Sequence, residues 1–306
     1  MSSAPRVPRL FRATAVAALA ALAALAGCAP EPDNAAPPAS TVTPAPSAVP
    51  TPAPKPTAPP APRVRQDLRG LAQAELDSRL IAAAWANDVP EAEALIVAGA
   101  DVNAKDETVQ SAYLVATSEG YADLLALTLA HGADLASLDS YNGTGLIRAA
   151  ERGHTAVVGT LITSGISLDH VNFPGYVALH EALIYAKPEQ VQEYQDTARV
   201  LIAAGVDLSI PTVNTGETPE MLAVRYGLGR QAELIRLALQ APIPAADAQA
   251  ALYTAAAAGN PDRTALALRA GAEISAVNAE GETALGLATA GDHPVTVTLL
   301  TSLGGS

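Results

Sequence analysis

From about residue 73 onward, apolar and polar positions recur in a fixed order, and that order predicts helices before any motif is weighed. Adjacent bulky pairs stand at Leu95/Ile96, Leu161/Ile162, Leu201/Ile202 and Leu299/Leu300, each a few residues ahead of a glycine. Small residues recur upstream of them, at Ala82, Ala83, Ala116, Ala149, Ala150, Ala182, Ala255 and Ala256, where they let neighbouring helices approach closely. The unit this predicts is a short helix, a tight turn, a second helix and a β-hairpin turn. Gly99, Gly132, Gly165, Gly205 and Gly271 would supply the left-handed residue that ends each second helix. The bulky pairs then fill the space between stacked layers.

The order is also periodic. Ala98-Gly99-Ala100-Asp101-Val102-Asn103 recurs as His131-Gly132-Ala133-Asp134-Leu135 and as Ser164-Gly165-Ile166-Ser167-Leu168, each glycine 33 positions after the last. Ala204-Gly205-Val206-Asp207-Leu208 follows 40 positions later, Gly271 lies 66 further on and Gly304 another 33. Self-similarity at this length means stacked units that cannot bury their apolar faces alone, so function belongs on a surface. A second landmark keeps the same phase: Thr144-Gly145-Leu146 with Ala149-Ala150-Glu151-Arg152-Gly153-His154, Val177-Ala178-Leu179-His180-Glu181-Ala182, and Thr218-Pro219 with Leu222-Ala223 and Gly227. Ser78, Ser111, Ala250 and Thr283 hold the threonine slot of the other copies.

These landmarks resemble the ankyrin repeat, over about residues 73 to 306. The resemblance implies an all-α repeat solenoid of about seven units, near 73–105, 106–138, 139–171, 172–212, 213–244, 245–277 and 278–306, in a repeat domain of 64–306. The fifth unit replaces its glycine with Ala238 and runs into Gln240-Ala241-Pro242-Ile243-Pro244, where the prolines force a break. A seam at 240–247 between five units and two is one reading, and the preserved phase favours one continuous stack. The fourth unit carries seven extra residues between Ala186 and Gly205. A lengthened second helix with Pro188 in its first turn accounts for them, and the extension either projects as a partner contact or is a tolerated insertion. Polar residues at both ends, Gln73, Glu75, Asp77 and Arg79, then Thr296, Thr298, Thr301 and Ser302, predict closed ends and a monomer.

The first 63 residues have a different character. Arg6, Arg9 and Arg12 precede an apolar run from Ala13 to Leu25 that closes in Leu25-Ala26-Gly27-Cys28, the pattern of a secretory signal peptide over 1–27. Leu-Ala-Gly-Cys resembles a bacterial lipobox, which implies lipidation of Cys28, and this is the chain's one cysteine, so no disulfide or zinc site competes for it. From Ala29 to Pro62 stand 13 prolines with almost no bulky apolar residue, which predicts a disordered, extended tether over 28–63. The expected location is the extracytoplasmic side of a cell membrane, held by lipid alone.

Charge narrows the partners. Of 18 basic residues five lie at or before Arg63, and of 31 acidic residues two do, so 13 stand against 29 beyond it, a net charge near −16. Such a surface disfavours nucleic acid and anionic headgroups. The chain shows no nucleophile elbow, no phosphate loop and no metal-ligand spacing, and no cofactor is expected. His131, His154, His180 and His293 occupy family slots where the resemblance implies bonds to the adjoining turn, and His170 has no obvious partner. Hairpin carboxylates such as Asp101, Asp106, Asp134, Asp139, Asp169 and Asp207 suit turn chemistry better than a metal ladder.

Aromatic residues gather in three consecutive units. On the repeat frame, Tyr141, Phe173 and Tyr176 fall on hairpin tips, and Tyr185 and Tyr226 end first helices, with Arg148, Arg152 and Arg225 nearby. Tyrosine and arginine are enriched in interface hot spots. Trp85 reads as end capping. The expected function is non-catalytic binding of an envelope or secreted protein through a groove of tips and first helices. Two alternatives remain open: an enzyme or enzyme accessory with a small-molecule or glycan pocket at the 240–247 seam, strengthened if His180, Glu181, Tyr185 and Arg225 converge, and an immunity-type inhibitor of a secreted toxin.

Overall fold

The computed structural model describes residues 65–306, so the expected leader, the lipidation site at Cys28 and the proline-rich tether lie outside the described residues. A 3-10 turn at Gln66–Leu68 leads into fourteen α-helices in seven consecutive pairs. These are α1 (Gln73–Trp85) and α2 (Val89–Ala98), α3 (Ala112–Glu119) and α4 (Ala122–Ala130), α5 (Gly145–Glu151) and α6 (Thr155–Thr163), and α7 (Ala178–Ile184) and α8 (Val191–Ala203). There follow α9 (Pro219–Arg225) and α10 (Gly229–Gln240), α11 (Ala248–Ala257) and α12 (Pro261–Arg269), and α13 (Ala284–Ala290) and α14 (Pro294–Ser302). Among the described residues extended pairing is confined to two isolated antiparallel bridges, Leu138 with Thr144 and Val277 with Thr283.

Local chemistry sets the helix ends. The hydroxyls of Ser111, Thr144, Thr218 and Thr283 accept the N–H groups of Leu114, Ile147, Met221 and Gly286, satisfying donors that the first turn leaves free. Val177 has no hydroxyl for that slot, and Nδ1 of His180 accepts its N–H instead. At the far end of each unit the chain must reverse sharply, and Gly165, like its periodic equivalents, does so at a left-handed φ of 87°.

The first helices α1, α3, α5, α7 and α9 pack side by side in one row, and α2, α4, α6, α8 and α10 form a second row behind them. Leu95, Leu124, Leu125, Leu161, Leu201 and Ile235 are fully buried between the layers. Each such side chain contributes about 1.5–3 kcal/mol by leaving water, and neighbouring units supply the burial jointly.

The continuous stack favoured by the phase does not form. With alanine at 238, α10 runs on to Gln240, and Pro242 and Pro244 prevent the hairpin that every other pair of units shares. The chain instead turns through a 3-10 segment, Ala245–Asp247, and α11–α14 lie back over the second helices, α12 on α8 and α14 against α6 and α8. Ala265, Leu266 and Leu299 of the second block join the core of the first, and polar and close backbone contacts mark the junction. Arg199 of α8, almost fully buried, donates to Asp196 at 2.6 Å and to Asp262 of α12 at 2.5 Å. Arg269, ending α12, donates to the carbonyls of Ile202, in the last turn of α8, and of Val206, just beyond it, at 3.1 and 2.9 Å. Gly159 of α6 lies so close to α14 that a Cβ there would stand 2.1 Å from the carbonyl oxygen of Ser302.

Two smaller expectations are corrected. The extra residues of the fourth unit form a 3-10 turn, Pro188–Gln190, and a 13-residue α8, so Pro188 precedes the long helix rather than opening it. The extension does not project. Tyr194 is buried against Gly153 and donates its hydroxyl to the Glu151 carbonyl at 2.9 Å, and Thr155 bonds the Glu193 carbonyl, so the added turn lies on the preceding unit. The polar residues of α14 do not form an outer end: Thr296 is buried, and Thr298, Thr301 and Ser302 share a cleft with Thr160 and Thr163 of α6.

Candidate functional site

Because α12 and α14 cover the second helices α6, α8 and α10, the face left open along all five units of the first block is that of the first helices and hairpin tips. The tips are laced together by backbone. The Phe173 N–H donates to the Tyr141 carbonyl at 2.9 Å, the Val213 N–H to the Gly175 carbonyl at 3.1 Å, and Asn214 to the Pro174 carbonyl at 2.7 Å. Carboxylates hold the turns as expected, with Asp139 accepting the N–H groups of Tyr141 and Gly143, and Asp101, Asp134 and Asp207 each accepting the N–H two residues on. Asn172 plays the same part for Tyr176. On this rigid ridge the side chains of Tyr141, Phe173 and Val213 are 62, 76 and 72% exposed. Val213 carries no sequence signal as a site residue, since its place on the ridge depends on the tip-to-tip bonds.

Behind the ridge the other site residues fall into three groups. Tyr176 meets the His180 ring edge-on at 6.2 Å, Tyr185 closes α7 half-exposed, and Glu181 is buried. Arg148, on α5, is bound to Asp139 at 3.3 Å and to Glu151. Burial pushes the Glu181 carboxyl up to about 7, with Asn172 opposing by donating a hydrogen bond at 2.7 Å, and it raises the Tyr185 phenol as well. In a second group Arg152 pairs with Glu119 at 3.0 Å, and both line a cleft of about 380 Å³ with Glu151, His154, Tyr185, Lys187 and Tyr194. The third is separate: Arg225 pairs with Glu217 at 2.6 Å and lies 5.4 Å over the Tyr226 ring at the outer end of the five-unit block.

Trp85 does more than cap an end. It is about half-exposed and lines a cleft of about 480 Å³ with Asp77, Ile81, Lys105, Asp106 and Glu107 on the same side of the stack. Its single occurrence gave no pattern from which sequence reasoning could place it there. The histidine ring nitrogens of His154, His180 and His293 bond the carbonyls of Ser118, Ile210 and Ala257, and His170 has the partner it lacked in sequence, the Asn142 carbonyl at 2.8 Å. Burial lowers the His154 and His180 pKa values.

The convergence that would favour a catalytic pocket is absent. His180 turns toward Ile210, Glu181 toward Asn172, and Arg225 is held by Glu217 away from both. Apart from the half-buried Ile243, residues 240–247 are exposed at the seam. Among the described residues no group of histidine, cysteine and carboxylate side chains is placed to hold a metal ion, and no helix is long and apolar enough to cross a membrane.

Comparison with known proteins places these features in context. A family model for ankyrin repeats (3 copies) matches residues 80–172. The ankyrin repeat protein YahD of Escherichia coli (strain K12) is 31% identical over 144 residues, covering 47% of this chain and 70% of that protein. A Danio rerio protein named as palmitoyltransferase ZDHHC13 is 29% identical over 210 residues, 67% of this chain but 31% of its own length. The chain therefore spans about a third of that protein, whose named activity is not carried by the match. Among solved structures, an ankyrin repeat protein with 34% identity superposes at a TM-score of 0.50, covering 55% of this chain and 85% of its own. An ankyrin repeat domain from Acinetobacter baumannii, 42% identical, covers 52% of this chain and 79% of its own with a TM-score of 0.49.

Proposed function

Since this chain belongs to the ankyrin-repeat family, whose members are generally protein-interaction modules, we propose that it is a non-catalytic binding protein working through its first-helix face and hairpin tips. The observation that carries this reading is the ridge of Tyr141, Phe173 and Val213, large apolar side chains held out to solvent by a backbone that is already bonded in place. A preformed ridge loses little backbone entropy on binding, so its aromatic area is available for affinity. With α12 and α14 lying over α6, α8 and α10, this face is the one left open along all five units.

The partner in this reading is an envelope or secreted protein, met by a monomer tethered through lipid on Cys28, with 28–63 setting its reach from the membrane. The support is the basic, apolar and small-residue order of the leader and the single cysteine at its end. Crosslinking in cells tests both parts. The native chain should enrich one protein partner, a Tyr141→Ser/Phe173→Ser variant of unchanged melting temperature should lose it, and Cys28→Ser should abolish metabolic incorporation of labelled fatty acid. Equal partner recovery by the ridge variant sinks the surface assignment, and undiminished label in Cys28→Ser sinks the anchor.

A further inference from the structure

The fourth unit of the stack is one cation short. In the third unit Asp139, at the hairpin, faces Arg148, four residues past the cap of α5, and the two bond at 3.3 Å. The equivalent positions one period later are Asn172 and Glu181, which bond at 2.7 Å. The exchange replaces a carboxylate and a guanidinium with an amide and a carboxylate, so the rung keeps its hydrogen bond and loses its positive charge. Glu181 is 5% exposed, and among the described residues no arginine, lysine or histidine pairs with it. Asn172 occupies Oε1. Oε2 accepts no hydrogen bond from the described residues and is not fully enclosed.

The surroundings say what would fill the vacancy. Asp139, Arg148 and Glu151 approach from α5 and its hairpin, Tyr176 from its own hairpin, and His180 and Tyr185 from α7. Arg148 is already divided between Asp139 and Glu151, so three carboxylates share one cation. Tyr185 stands one helical turn beyond Glu181 and is 46% exposed, an aromatic wall beside the free oxygen. A carboxylate with Tyr185 near it, bonded to the residue that precedes Phe173 of the apolar ridge, matches a long cationic side chain whose stem packs on the ring while its head reaches the oxygen.

Resting on the binding role given above, we propose that the face recognises a protein segment presenting a lysine or arginine to Oε2 of Glu181, with an apolar neighbour on Tyr141 and Phe173. Pairing a cation there restores the charge that the third unit supplies for itself. The free carboxyl is held partly protonated near pH 7, so docking a cation expels its proton, and binding strengthens as pH rises through neutrality.

Selection of random peptides displayed on phage against the full chain in detergent tests this. Selected peptides should carry lysine or arginine next to an apolar residue, and should bind Glu181→Gln at least tenfold more weakly. An Asn172→Asp/Glu181→Arg variant, which copies the rung of the third unit and so has a folded precedent within the chain, should lose them as well. Peptides that need Tyr141 and Phe173 but carry no basic residue would overturn the cation site and leave the binding face standing. Peptides indifferent to Tyr141, Phe173 and Glu181 alike, or no selected peptide at all, would overturn both.

Discussion

Glu181 and His180 are neighbours in sequence, both buried, and their protonation works in opposite directions. Burial raises the Glu181 carboxyl from 4.5 to about 7, so in that interval the folded chain holds a proton that the unfolded chain has released. Its contribution to stability is complete below about 4.5 and is lost as pH rises through about 7. Burial lowers the His180 and His154 pKa values, so their contribution is present above the ordinary imidazole range and lost as pH falls through the folded values. The loss of stability between pH 5 and 8 is therefore assigned to Glu181. Glu181→Gln should remove it, leaving the variant more stable than the native chain at pH 8 by an amount on the order of 1 kcal/mol and bringing the two together toward pH 5. Urea melts at four pH values suffice, and an unchanged slope means the carboxyl is solvated after all. The sequence singled out Glu181 only as a possible member of a pocket with His180, Tyr185 and Arg225, and carried no sign of its burial without a cation. Its burial follows from the packing of α5 against α7, which brings a neighbouring rung over it.

The elements themselves were readable because their causes are local. Periodic glycines, hydroxyl caps and alanine faces lie within a few residues of the helices they shape, and the fourteen helices follow them. What failed was the relation between elements that are far apart. Gly159 reads as a weak spot in a helix, since an interior glycine costs about 1 kcal/mol relative to alanine. Its meaning appears only when α14 arrives: a methyl group there meets the backbone of Ser302, which has no flexible end to move aside. Gly159→Ala should therefore destabilise the protein, by about 1–3 kcal/mol as the blocks are pushed apart. Gly229 opens α10 with nothing within 4 Å of a Cβ, so Gly229→Ala should be neutral or stabilising by up to about 1 kcal/mol. Opposite signs for the same chemical change, read from thermal melts, isolate the contact between α6 and α14. If both substitutions stabilise, that contact is not made in solution.

At the scale of the whole molecule the decisive feature is the return of α11–α14 over the back of the third to fifth units. The preserved register argued for continuity because it counts residues, whereas stacking depends on which residues fill the connection. The alanine at 238, inside α10, and the prolines at 242 and 244 beyond it remove the hairpin while leaving the count intact. The long α8 and the turn after it then supply the mount: Arg199 and the carbonyls of Ile202 and Val206 receive α12. The consequence for function is geometrical, because the folded-back block covers α6, α8 and α10 and leaves the tips and first helices open along all five units. It also sets two residues together that a continuous stack would hold apart. A Cβ on Gly304 would lie 3.8 Å from Cγ2 of Thr163, within reach of the spacing a disulfide spans. Four layers of helices at about 8–10 Å each would put them some 30–40 Å apart in a continuous stack. In a Cys28→Ser background, Thr163→Cys/Gly304→Cys should close an intramolecular disulfide under mild oxidant, seen as faster migration on a non-reducing gel and reversed by reductant. A pair that stays reduced, or that crosslinks only between molecules, would mean that the two blocks are extended in solution and that the second-helix side is open to partners as well.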